Sequence, residues 1–152
     1  MSRLIVSRQA LAALRAHLAG AYPEEGCGVL LGRDHDRVRA VHEAVVVENA
    51  ATRERGRRYE IHPERFLQVD RHAREAGLDV IGFFHSHPDH PAEPSAFDHE
   101  RAWPYYSYLI ARVGEAQVTE IRCWRLVGES GAFESEAWSE VDDVMERENT
   151  SA

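Results

Sequence analysis

Lysine is absent from this sequence, cysteine occurs only twice in 152 residues, and no apolar run approaches the length of a membrane span. Each shortage closes off a class of protein. Crossing a bilayer as a helix takes about 20 consecutive apolar residues. The amino end, Met1 to Val6, is too short an apolar stretch for a secretory signal, so the chain reads as cytoplasmic, with no membrane partner. Cys27 and Cys123 stand far apart with no Cys-x-x-Cys pair. That leaves neither a disulfide framework nor a thiolate zinc knuckle, and both are expected as small buried residues on strands. Glycine-rich phosphate loops are also missing. All 18 basic residues are arginine, outnumbered by 26 acids for a net charge of −8. Affinity for nucleic acid comes from neutralising phosphates with basic side chains, so the charge argues against nucleic acid as a partner.

The acidity is local. Residues 129–152 carry eight acids and one arginine, whereas the first 128 residues sum to −1. With 43% hydrophobic residues and no internal repeat, the sequence predicts one domain over 1–128 and an acidic, mostly disordered C-terminal tail over 129–152.

Apolar spacing predicts helices interleaved with strands. Leu11, Leu14 and Leu18 repeat at helical intervals between a capping Ser7 and Gly20, which gives a helix over 8–21. Residues 27–32 and 37–48 read as strands joined by a turn at 34–36. After a polar loop at 50–58, residues 59–61 resume an extended segment. A second helix starts at Pro63 and stops at Gly77, with Phe66, Val69, Ala73 and Ala76 on one stripe. Residues 80–84 are continuously apolar, as in a strand covered on both faces. That strand runs directly into His85. A short helix begins at Ser95, and strands over 106–113 and 118–127 are close enough to pair as a hairpin. The fold class is α/β: a single domain with a mixed β-sheet flanked by helices.

Six of the nine histidines lie between positions 62 and 99, and His85 and His87 stand two apart at the end of the buried run. Strand residues i and i+2 share a face, so both imidazoles can converge. Pro88 ends the strand, and the loop 89–94 is long enough to fold the next helix back with Asp98 one turn into it. Two neutral nitrogens and one carboxylate oxygen suit Zn²⁺ and leave a fourth tetrahedral vertex for water, the composition of a catalytic site. Taken singly, the pieces have plainer readings. His-x-His is common at surfaces, and Ser95 to Asp98 is also a capping box, Ser at the cap and an acid three later. The two roles are compatible, Ser95 capping the helix while its hydroxyl faces the metal-bound water. The whole pattern, His, one residue, His, seven residues, Ser, two residues, Asp, would arise by chance in roughly two per thousand sequences of this composition.

The segment His85-Ser86-His87-Pro88 through Pro94-Ser95-Ala96-Phe97-Asp98 resembles the signature of the JAMM (MPN-plus) metallopeptidases, matching at all four signature positions. These are zinc-dependent enzymes related to the deubiquitinating subunits of large protease complexes. The resemblance implies an upstream glutamate in a Pro-x-Glu context. Pro23-Glu24-Glu25 supplies it, with Glu25 in register and Glu24 expected to face solvent. It extends diffusely over Tyr59 to Pro63, Ile81-Gly82 and Tyr108, covering residues 4 to about 127. The short chain resembles the small bacterial and archaeal branch, whose members remove groups from the C-termini of ubiquitin-like sulfur-carrier proteins. So read, the resemblance implies a layered MPN fold like that of cytidine deaminases and one Zn²⁺ per chain on His85, His87 and Asp98. It also implies Glu25 as general base and proton shuttle, and Ser95 as a donor to the oxyanion.

The chemistry agrees. Amide hydrolysis needs an activated water, a stabiliser for the oxyanion and a proton for the leaving amine. The reading is a zinc metallopeptidase cutting a peptide or isopeptide bond at the C-terminus of a ubiquitin-like or sulfur-carrier protein. The alternative is a non-catalytic MPN-type binding or scaffold module for such a protein, with deamidation of a small molecule a third. A scaffold has no physical need for an open metal position. Other motifs fail: His99-Glu100 begins like His-Glu-x-x-His, but position 103 is Trp, and the paired cysteines of zinc nucleoside deaminases are missing. His90 and His99 are expected to be solvent-exposed, and Trp103, Tyr105 and Tyr106 to be core or rim. Arg53, Arg55, Arg57 and Arg58 form a solvated loop able to steer an acidic protein substrate.

Overall fold

Strand β1 (Arg3–Ser7) opens the computed structural model, which describes residues 2–127 and 131–151. There follow α1 (Arg8–Ala21), β2 (Cys27–Asp34), β3 (Val38–Val47), α2 (Pro63–Glu75) and β4 (Asp79–Pro88). The chain then forms α3 (Ala96–Arg101), β5 (Ser107–Gly114), β6 (Gln117–Val127), β7 (Ala132–Val141) and α4 (Val144–Ser151). The strands lie in the order β1-β3-β2-β4-β5-β6-β7, and β7 pairs with β1, closing the sheet on itself. Pairing is parallel for β1 with β3, β1 with β7 and β4 with β5, and antiparallel elsewhere, so the sheet is mixed as expected.

Alternation along the strands sorts the apolar residues into three layers. Leu4 and Val6 of β1, Leu30 of β2 and Ile81 of β4 join Leu11, Leu14 and Leu18 of α1 in the main core. Ser7 caps α1, its hydroxyl accepting from the Ala10 amide at 3.1 Å. On the opposite face, Val29, Leu31 and Val80 meet Val69 and Ala73 of α2. Ile5 and Ala40 pack with Val144 of α4. Central strands covered on both faces are nearly continuously apolar, as in the buried run at 80–84. Gly82 permits close pairing with β5, since a Cβ there would come within 2.2 Å of the Ser107 carbonyl oxygen.

Two parts of the sequence reading are corrected. The tail is not mostly disordered: residues 132–141 form β7, which sits between β6 and β1. The anticipated boundary at 128–129 lies outside the described residues. The reason is charge pairing that a net count conceals. Arg39 is fully buried, donating to Ser107 Oγ (2.7 Å) and the Ile81 carbonyl (2.9 Å). Ser107 Oγ donates in turn to Glu136 Oε1 of β7 at 2.7 Å. Burial pushes the Arg39 guanidinium pKa down, with Arg125 reinforcing the shift and Asp34 and Glu136 opposing it. Asp34, 3.6 Å from Arg39 Nε, supplies the nearer counter-charge, and Glu136 of the acidic segment adds to it through Ser107. Second, β1 occupies residues 3–7, where no strand was expected. No helix among the described residues is long and apolar enough to cross a membrane.

Candidate metal centre

The last residues of β4 set the geometry. His85 and His87 point the same way from the strand, both 1% exposed, with their Nε2 atoms 3.2 Å apart. The His87 Nδ1–H donates to the Pro91 carbonyl at 2.7 Å, which leaves its Nε2 lone pair facing inward. Helix α3 folds back as anticipated. Asp98 Oδ1 lies 3.1 Å from His85 Nε2, and Oδ2 lies 3.0 Å from His87 Nε2. Two ligands each about 2.0–2.1 Å from a tetrahedral ion are separated by about 3.3 Å. The three side chains therefore already stand at the mutual spacing of donors around a single cation, and their ligand atoms all lie within 4.8 Å of one another.

The capping box and the cluster coexist. Ser95 Oγ accepts from the Asp98 amide at 3.1 Å, and the Ser95 amide donates to Asp98 Oδ2 at 2.9 Å. Burial acts to raise the Asp98 pKa. The adjoining His85 and His87 rings and the Ser95 backbone amide outweigh it and hold the carboxyl far below the usual carboxylate range.

Glu25 reaches the cluster through strand register. Cys27 pairs with His85 across β2 and β4, and continuing two places sets Glu25 opposite His87. Ser86 holds this junction, its hydroxyl accepting from the Gly26 amide at 2.8 Å while its own amide donates to the Gly26 carbonyl at 3.1 Å. Asn49, 6% exposed, donates to the Glu25 carbonyl and the Arg58 carbonyl, each at 3.0 Å, tying the arginine loop to the site. Tyr59 stacks on His85 with ring centroids 4.6 Å apart. The sequence reading gave Ser86 and Asn49 no role and Tyr59 only a place in the diffuse resemblance. A small polar residue between two converging histidines was the one available signal.

Glu25 is 3% exposed, and its Oε1 has no hydrogen-bond partner. Glu24, about half exposed, pairs with Arg55 at 3.2 Å, which matches the expected division between the two acids. Burial pushes the Glu25 carboxyl up to about 8, His87 opposing and Asp98 adding to the shift. A stability prediction follows for the metal-free chain. Above its ordinary pKa near 4.5, Glu25 loses its proton in the unfolded chain but keeps it in the folded one until pH is about 8. Unfolding therefore releases a proton in that window, and stability falls as pH rises, by up to about 1.4 kcal/mol per pH unit. Glu25→Gln should flatten this slope. Urea midpoints in chelator at pH 5.5 and 7.5 test it, and equal slopes in the two proteins would refute it.

Other expectations resolve individually. His99 is exposed, meeting Phe133 edge-on. His90 is half-buried and stacks on His87 with centroids 4.2 Å apart, contrary to the expectation of a free surface side chain. Arg55 pairs with Glu24, and Arg58 with Glu54 at 3.1 Å, so part of the arginine loop is internally paired. Trp103 and Tyr105 are exposed on the rim of an apolar cleft of about 880 Å³. Ile61, Phe66, Phe83, Tyr106 and Tyr108 help to line it, and Asp98 stands on its wall.

Across residues 7–127 the sequence matches the prokaryotic homologs of the JAB domain. The chain belongs to this family. Among JAB relatives, the desampylase of Haloferax volcanii is 43% identical over 114 residues, 72% of this chain and 80% of that protein. The desampylase of Pyrococcus furiosus is 29% identical over 118 residues, 75% of this chain and 78% of that protein. A solution structure from Salinibacter ruber, 38% identical, superposes with a TM-score of 0.70 over 93% of this chain and 92% of that one. Another from Desulfitobacterium hafniense, 25% identical, gives 0.80 over 92% and 94%. The JAB match ends at Val127, so β7 and α4 lie beyond it.

Proposed function

We propose that the chain is a zinc-dependent metallopeptidase of the JAB family. Its substrate would be the amide, peptide or isopeptide, at the C-terminus of a ubiquitin-like or sulfur-carrier protein. The observation that carries this reading is the convergence of His85, His87 and Asp98 at 3.0–3.2 Å beside a buried carboxylate with an unpartnered oxygen. Two relatives bear the name desampylase; carried to this chain, that name favours the isopeptide link of a ubiquitin-like modifier.

His85 and His87 through Nε2 and Asp98 through its carboxylate would hold the ion. Zinc bound there supplies a water acidified to a pKa of about 7 and a Lewis-acid contact for the scissile carbonyl. Glu25 accepts the proton of the attacking water as the C–O bond forms. It returns that proton to the amine as the C–N bond breaks, so both protonation states are used in one turnover. Ser95 Oγ accepts from the Asp98 amide, which leaves its hydroxyl hydrogen to donate to the oxyanion. The apolar cleft next to Asp98 takes side chains of the substrate's tail, and its exposed Trp103 and Tyr105 extend the contact. A scaffold would gain nothing from a buried acid without a partner, which is costly to keep.

A direct experiment uses a ubiquitin-like protein ending in Gly-Gly, joined to its leaving group by a linear bond in one substrate and a lysine isopeptide in another. The zinc-loaded chain should release the protein from at least one of them. Chelation should stop release and added zinc restore it. Asp98→Ala should lose the tightly held zinc equivalent and cleave neither substrate. Cleavage that survives chelation, or full zinc loading with neither substrate cut, would overturn the reading.

A further inference from the structure

His90 shares a second constellation with the cluster above. A carboxylate oxygen of Glu25 and one nitrogen each of His87 and His90 all lie within 4.8 Å of one another. His90 is held in place rather than free. Its ring lies 14° from parallel with His87, and its Nδ1 faces the Pro88 carbonyl at 2.8 Å. A carbonyl only accepts, so Nδ1 carries the hydrogen and Nε2 keeps a lone pair. The preceding residue, Asp89, adopts φ +60°, and both of its carboxylate oxygens accept from Tyr22 Oη, at 2.8 and 3.1 Å. The Asp89 amide donates to the Val113 carbonyl at 2.8 Å. The turn bearing His90 is thus braced against Tyr22, just after α1, and against β5.

His87 has one inward lone pair, and the cluster with His85 and Asp98 uses it. Glu25 and His90 then remain as an unclaimed pair, one oxygen of Glu25 being buried and without a partner. Nitrogen with a carboxylate oxygen is a donor set for a borderline divalent cation such as zinc. We propose that Glu25 and His90 hold a second divalent cation beside the primary one, and that filling this position silences hydrolysis. A carboxylate bound to a cation cannot also take the proton of the attacking water. With two protein donors where the primary site has three, the second ion is held more weakly. Excess zinc therefore acts as a brake on the same chain that needs zinc to work. The brake rests on the function proposed above; the binding itself does not.

The test is zinc stoichiometry by equilibrium dialysis of the full chain, read alongside the hydrolysis rate. The wild type should take up two equivalents, the second released first on dialysis, and its rate should fall at least tenfold as the second fills. His90→Phe keeps a ring against His87 but has no nitrogen. It should stop at one equivalent and hold its own rate constant across the same titration. A wild type saturating at one equivalent overturns the second site and leaves the proposed function standing. So does a second equivalent that persists in His90→Phe and disappears in His35→Ala, since His35 and His42 both face Glu148. Two equivalents in the wild type and one in His90→Phe, with no cleavage by either, would support the second site and count against the proposed function.

Discussion

Replacing Glu25 by Gln should lower the rate of amide hydrolysis by about 10²- to 10⁴-fold, the range general acid–base catalysis contributes, while the tightly held zinc equivalent stays. The two effects separate because Glu25 is outside the His85, His87 and Asp98 set and touches it only from across the β2–β4 register. Gln has the size and polarity of Glu but cannot accept and return a proton. The substrate-binding surfaces are unchanged, so KM should move little and the loss should fall on kcat. The same substitution should stabilise the metal-free chain near pH 7.5, because it removes an acid that burial forces to retain its proton up to about pH 8. Activity would thus be lost as stability is gained, the trade expected where a site is kept strained for function. A Glu25→Gln variant that cleaves within tenfold of the wild type would remove Glu25 from its role and leave the metal cluster untouched.

Glu136→Ala should destabilise the fold by about 1–3 kcal/mol, the cost of leaving the Ser107 and Ser2 hydroxyls without their acceptor, since Arg39 keeps its ion pair with Asp34. Domains commonly hold only about 5–15 kcal/mol in total, so much of this chain should be unfolded at modest urea concentrations. Glu136 is 5% exposed, and its two oxygens accept from Ser107 and from Ser2, at 2.7 and 2.8 Å. Arg125 also donates to Ser2 Oγ at 2.9 Å. Truncation removes one node from a chain of contacts linking β3, β5, β6 and β7 to the amino end. Glu134, exposed on the same strand, is the control and should shift stability by less than about 0.5 kcal/mol. Equal urea midpoints for the two variants would show that β7 is not anchored by charge. The network lies toward the start of β4, away from His85 and His87. Its loss should therefore lower the folded fraction and leave the zinc affinity of the folded molecules unchanged.

Much of the site was legible before the fold. His85 and His87 shared a face because a strand repeats every two residues, and the apolar run before them marked that strand as buried. Asp98 doubled as a capping residue, and in the structure its carboxylate both accepts the Ser95 amide and turns toward the two imidazoles. The helices α1 and α2 were legible for a similar reason, each having an apolar stripe between a start signal, Ser7 or Pro63, and a glycine near its end. His90 was misjudged because nothing local distinguishes a histidine in a polar loop from one stacked on a neighbour; the Asp89 turn decides it.

The closing strand was hidden by its composition. Residues 132–141 carry Glu134, Glu136 and Glu140, and acid density favours the reading of a solvated tail. The partners of Glu136, Ser107 and Ser2, and the guanidiniums of Arg39 and Arg125 that donate to them, are far away along the chain, so no window of sequence could display the compensation. Strand β1 was hidden by brevity. Leu4, Ile5 and Val6 are too few to announce a strand, yet they sit between β3 and β7 with both faces covered.

The sequence by itself determined which side chains, His85, His87 and Asp98, could converge, and the local elements that carry them, because strand and helix periodicity are properties of neighbouring residues. Only the tertiary structure decided that Glu25 lies opposite His87, that His90 turns inward, and that an acidic strand closes the sheet. Those outcomes depend on register and on charge pairs between distant segments, and both are settled when the chain packs.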